Sequence, residues 1–143
     1  MVDHHVRERG SALLLLPAVV LVLCALAAMA VDLSAAFLGE RRVSSLADGA
    51  ANDAASALDE DRWRANGELA VDCGRAARLV EAARVATAAG GLDDLTVDLV
   101  SCDGARVTVA VAARVPYAFA RGIPGAPHHA RVDATSTAEA RAR

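Results

Sequence analysis

Lysine is absent from this chain, and all 15 basic residues are arginine. Together with the excess of alanine, that bias marks a GC-rich genome and carries no chemistry of its own. Aromatic residues are nearly missing too, at 3% against 55% hydrophobic overall, so the apolar fraction is mostly alanine, valine and leucine. A core built from such small side chains buries little area per residue and is modest in stability. There is no basic run and no basic patch interleaved with aromatics. The net charge is −3, and beyond Arg42 14 acidic residues stand against 11 arginines. Nucleic-acid binding therefore has no electrostatic footprint here.

Motifs of catalysis are missing as well. The chain has no G-x-S-x-G, no H-E-x-x-H and no glycine loop of the phosphate-cradling kind. His4-His5 and His128-His129 are adjacent pairs, and successive side chains on a strand point apart. No cysteine or carboxylate stands at metal-ligand spacing from them, so they read as solvated surface. No metal, cofactor or small-molecule substrate is expected, and the chain is not expected to be an enzyme.

Between residues 11 and 31 the missing feature is charge: SALLLLPAVVLVLCALAAMAV carries none over 21 residues. About 20 apolar residues in a helix cross the roughly 30 Å hydrocarbon core of a bilayer. Charges stand at both edges, and Pro17 lies in the first two turns, where a missing backbone donor costs little. A transmembrane helix is expected, packing on lipid or on like helices through Leu14, Pro17, Val20, Cys24, Ala27 and Val31. The alternative is a secreted binding module released by signal peptidase after Ala28-Met29-Ala30, an acceptable cleavage sequence. Against it, the helical pattern does not stop at Ala30. The inside-positive count ties, with Arg7 and Arg9 before the segment and Arg41 and Arg42 after it. The cysteines break the tie. Cys73 and Cys102 lie in the polar part, where a pair suits an oxidising compartment. The expected topology is single-pass in the cytoplasmic membrane, with residues 1–10 inside and residues 68–143 outside.

From residue 32 to 64 the pattern stays helical but turns amphipathic, with Leu33, Phe37, Val43, Leu46, Ala50 and Ala54 at three- and four-residue steps. Joined to the apolar segment, one helix from Ser11 to Trp63 would be about 80 Å long. Asn66-Gly67 ends it. A second helix fits residues 72–89, with Asp72 as N-cap and Gly90-Gly91 as the stop. Its inward positions would be Leu79, Val80, Ala83 and Ala86.

Alternating strand patterns follow over 95–101 and 106–114, with a third over 131–140. A three-residue loop from Cys102 to Gly104 would pair Leu99 with Val107, Val97 with Val109 and Leu95 with Val111. A two-residue Asp103-Gly104 loop is the other register. The favoured three-residue form puts one apolar face toward the helix. The fold class expected is α+β: a long N-terminal helix, a second helix and a small antiparallel three-stranded sheet. Closing helix onto sheet would bring Cys73 and Cys102 together, and a disulfide there would contribute about 3–4 kcal/mol.

Arg9-Gly10-Ser11-Ala12, the apolar run with an early Pro17, Ala30-Val31-Asp32-Leu33, Arg41-Arg42 and the string from Asp48 to Ala55 resemble the N-terminal module of TadE/TadG-like proteins. That family belongs to the tight-adherence (Flp/Tad) pilus machinery. The resemblance covers residues 7–58; the rest is similar in plan only. It implies a pilin- or pseudopilin-like fold and a membrane-anchored pseudopilin or minor-pilin-like subunit. Its partners would be other pilin-like or Tad-system subunits, met through the N-terminal helix, with incorporation into a pilus as one outcome. It also implies prepilin-peptidase cleavage between Gly10 and Ser11. Pilin-type members usually carry glutamate at the fifth mature position, which here is Leu15. The processed type and the permanently anchored, TadG-like type therefore both stay open.

Overall fold

The computed structural model describes residues 9–87 and 92–141, with side chains from residue 15 onward. Helix α1 (Arg9–Ala55) is followed by α2 (Glu60–Asn66) and α3 (Cys73–Thr87). Strands β1 (Asp93–Asp103), β2 (Arg106–Pro116) and β3 (His129–Glu139) complete the chain, with a 3-10 turn at Ala120–Gly122 between the last two. The sheet is antiparallel in the order β1-β2-β3. The expected α+β class is the observed one. Residues 88–91, including the expected Gly90-Gly91 stop, lie outside the described residues.

At 47 residues, α1 is about 70 Å long. It runs through Pro17, the ninth residue of the helix, forgoing one backbone hydrogen bond there. Its second half lies on the sheet through a stripe of small residues: Gly39, Val43, Ala47, Ala50 and Ala54 are all buried. Leu33 and Phe37, expected on the inward face, are instead 70% and 54% exposed. A helix packed closely on a sheet has room only for small side chains beneath its axis. Leu33, Phe37 and Leu38 point the other way, and Leu46 is half-buried at the margin of the contact.

The helix does not continue to Trp63. It ends at Ala55, where the Ser56 hydroxyl donates to the Asp53 carbonyl and the chain turns to pair Leu58 with Val71. Asp59 then opens α2 as its N-cap, its carboxylate accepting from the Arg62 N–H at 3.1 Å. The Asp59-Glu60-Asp61 run thus starts a helix. Gly67, at φ +71°, closes α2 with its N–H on the Trp63 carbonyl. Asp72 caps α3 as expected, accepting from the Arg75 N–H at 3.0 Å. Val80 is fully buried on α3, Leu79 and Ala83 are half-buried, and Ala76 takes the inward place expected of Ala86.

Neither expected hairpin register is adopted. Asp103 pairs with Arg106 across a two-residue Gly104-Ala105 loop, which sets Cys102 opposite Val107 and Val100 opposite Val109. Gly104 takes φ +56° at the first central position, as a II′ turn requires. An irregularity between Val97 and Leu99 then shifts the pairing, so that Val97 meets Val111. The extra residue swaps which face of β1 is apolar. Val100 and Cys102 face the core beyond it, Val97 and Leu95 before it, and Leu99 is left 49% exposed. β3 pairs with β2 without a break and buries Val132, with Ala134, Ser136 and Ala138 half-buried on the same side.

The largest fully buried side chains are all valine: Val43, Val80, Val107, Val109 and Val111. Around them the core is mostly alanine. Such a core fits α1 tightly against the sheet but gains little per residue from leaving water. Covalent bracing compensates. Cys73 and Cys102 form the expected disulfide, with their Cα atoms 5.8 Å apart. The same corner is tied by Val71 N–H to the Gly104 carbonyl at 2.9 Å and Ala140 N–H to the Ala105 carbonyl at 2.7 Å.

Candidate functional site

Two surfaces make up the site: the apolar first half of α1 and the place where that half gives way to the head formed by the rest of the chain. From Leu15 to Val31 every residue is exposed except Ala28, which is half-buried. Leu16, Leu21 and Leu23 are 66%, 71% and 59% exposed. This helix is long and apolar enough to cross a membrane, and only 6% of its most apolar stretch is buried. A helix from the centre of a soluble core would be mostly covered. This one is bare.

Of the residues expected to pack within or beside a membrane, Pro17, Val20, Cys24, Ala27 and Val31 are all exposed. Cys24 is a free thiol on this surface. The Leu14 side chain lies outside the described residues, as do those of Gly10 and Ser11, whose backbone falls in the first turn of α1. None of the described members of this set is brought against the head.

Asp32 marks the boundary. It is the one buried charged residue among those described, at 8% exposure. Its Oδ1 accepts from the Ala118 N–H at 2.7 Å and the Phe119 N–H at 3.1 Å, and its Oδ2 from the Ala120 N–H at 2.8 Å. The carboxylate thereby fixes the β2–β3 loop to α1 and satisfies the donors that open its 3-10 turn. Burial pushes this carboxyl up, and the three backbone donors outweigh burial, holding it below its ordinary value of 3.8. Sequence reasoning placed Asp32 only as an edge charge. Its one local signal is a lone acid following a 21-residue uncharged run.

Gly39 sets the spacing two turns further on. A Cβ built there would fall on Val115 Cγ2 and lie 3.2 Å from Val115 Cβ. The absent side chain is what lets the α1 backbone approach β2. Ala35, one turn earlier, packs on the same core. The small-x-x-x-small spacing from Ala35 to Gly39 therefore serves contact with the chain's own sheet.

No family model, curated protein or solved structure matches the chain. The functional reading rests on the geometry just described and on the residues themselves. Among the described residues no three histidine, cysteine or carboxylate groups come together as a metal set. His128 and His129 share a shallow groove with Asp93, Asp94, Arg114 and Arg121 at the loop end of the sheet.

Proposed function

We propose that this chain is a TadE/TadG-like, membrane-anchored subunit of a Tad/Flp pilus or a related secretion system, acting by assembly and not by catalysis. The supporting observation is the division of α1 into a bare apolar half and a half that is built into a small, disulfide-braced head. Pilin-like subunits need that division, because one helix must hold the protein in lipid and later pack against its neighbours' helices. The head lies outside the cytoplasm and the N-terminus inside it, since a structural disulfide persists in an oxidising compartment. Lipid covers the apolar half first, and like helices cover it in an assembly, where close packing and not water exclusion drives association.

Two forms of this role differ in processing. In one, cleavage between Gly10 and Ser11 frees the helix to enter a filament; in the other, the chain stays anchored throughout. Intact-mass measurement on protein extracted from membranes separates them: a chain beginning at Ser11 is the processed form, and one beginning at Met1 the anchored form. A chain recovered from the medium and beginning at Val31 would replace both with a secreted binding module. The broader role is tested in the native host by assaying purified wild-type pili for the chain and by deleting its gene. The chain in wild-type pili, or loss of pili on deletion, is expected. Absence of the chain from wild-type pili together with normal pili in the deletion strain would overturn the role.

A further inference from the structure

The β2–β3 loop stands out from the rest of the head. Its eleven residues from 117 to 127 carry no acid and a single charge, Arg121. Phe119 and Ile123 are 53% and 59% exposed, although each is flanked by ordered backbone: Gly122 N–H meets the Phe119 carbonyl and Ile123 N–H the Ala120 carbonyl, both at 3.0 Å. The opposite end of the sheet closes instead with Asp103, Gly104, Ala105 and Arg106, small or charged residues throughout.

Two contacts along α1 and one just past its end give the loop its height. Asp32 holds residues 118–120, Gly39 abuts Val115, and the Ala57 carbonyl beyond the helix end accepts from Asp72, next to the Val71–Gly104 bond. The sheet therefore runs alongside α1 with its β2–β3 loop at the end nearest the apolar half. That loop is pinned to the first residue after Val31, the last of the uncharged stretch. The chain has only four aromatic residues, and two of them, Tyr117 and Phe119, lie in this loop. Phe37 follows Asp32 by five residues, about 7–8 Å along the helix. It is exposed, with the Arg41 guanidinium 4.8 Å above its ring, and Leu33 beside it is also bare. Amphipathic rings such as Tyr117 are enriched at the membrane–water interface.

We infer that the β2–β3 loop is a second membrane attachment, with Phe119 and Ile123 entering the boundary between headgroups and acyl chains on the leaflet facing the head. The inference rests on the apolar half of α1 being inserted in lipid, and the occupant is the lipid surface itself, continuous with that around residues 15–31. Side chains of this kind settle roughly 5–10 Å into the interfacial region. Arg121 stays at the headgroups. Two attachments in place of one fix the tilt and rotation of the head over the bilayer, so that the same face of the sheet is always presented to a neighbour.

Indole fluorescence in vesicles of mixed phosphatidylcholine and phosphatidylglycerol tests this with the full chain, using acyl chains brominated at shallow or deep positions. Trp63, beyond the far end of α1, is the native control and keeps its emission. In a Trp63→Phe background, Phe119→Trp and, separately, Ile123→Trp are expected to give blue-shifted emission that shallow bromine quenches more than deep bromine. Leu21→Trp in the same background reports the span and is expected to lose most emission with deep bromine. If Leu21→Trp is quenched while neither loop variant is, the loop stands clear of the bilayer and the inference falls with the anchor intact. If Leu21→Trp is not quenched either, the anchor itself fails and takes the loop with it. A blue-shifted loop indole that no brominated lipid quenches is covered by protein, and that result also overturns the inference.

Discussion

The two halves of α1 share a backbone and differ in everything around it. Residues 15–31 carry leucine and valine on all sides and touch almost nothing of the head. Residues 32–55 carry mostly alanine, glycine and valine on the side that is covered, with Leu46 half-buried at its margin, and leave Leu33, Phe37 and Leu38 on the side that is not. In the first half bulk is tolerated, because nothing of the head packs against it. In the second, bulk would hold the helix off a sheet whose own inward residues are valine. Apolar content alone thus does not say which half is buried within the chain. Size does.

The largest way to break that comparison is to remove the brace from the small-residue half. Cys73→Ser or Cys102→Ser should lower the stability of the head by about 3–4 kcal/mol, the loop-closure term for a bridge spanning 29 residues. Denaturant unfolding of the full chain in detergent, followed by Trp63 emission and by far-ultraviolet circular dichroism, would check it. The head transition should move to lower denaturant while the helical signal of residues 15–31 persists. A loss shared equally by both halves would mean that they form one cooperative unit.

A sharper test uses two glycines in the same buried half. Gly39→Ala drives a methyl group onto Val115 and should cost about 1–3 kcal/mol, because either the helix must lift or the valine must leave its rotamer. Gly49→Ala meets nothing within 4 Å and should stabilise the head by up to about 1 kcal/mol through helix propensity alone. Opposite signs from one substitution in one helix, read by the same denaturant experiment, would locate the helix–sheet contact at Gly39. Equal signs would remove it.

The sequence carried the fold class, the three strands, the Asp72 cap and the disulfide, because each depends on a local pattern or on the pairing of two cysteines outside the apolar segment. The hairpin register was not legible. Leu95, Val97 and Leu99 alternate cleanly, and nothing local marks the irregularity between Val97 and Leu99 that hands the apolar face from Val97 to Val100. The end of α1 was half legible: Asp59 followed by two acids has the composition of a helix start, whereas the Leu58–Val71 pairing that stops α1 depends on a partner thirteen residues away. Gly39 shows only as a propensity penalty until β2 is placed beneath it. Asp32 was least legible of all. Its three donors are the backbone of residues 118–120, whose amides carry no sequence signature.

Asp32, where the two halves meet, gives the smallest and most specific test. Its carboxylate is held below its ordinary value in the folded chain, so it contributes stability that is present above pH 3.8 and is lost as pH falls through the lower folded value. Asp32→Asn keeps the size of the side chain and one acceptor oxygen but places an NH2 group, a donor, where Oδ1 or Oδ2 now accepts. At neutral pH the variant should lose hydrogen-exchange protection at the amides of Ala118, Phe119 and Ala120, with residues 43–54 of α1 unchanged. As pH falls below the lowered folded value the two proteins should converge, because protonation gives the wild-type carboxyl the same shortage of acceptors. Convergence locates the effect in the charge–amide contact. A difference that persisted in acid would assign it to repacking around the new side chain, and the boundary between the halves would then be set by shape and not by this carboxylate.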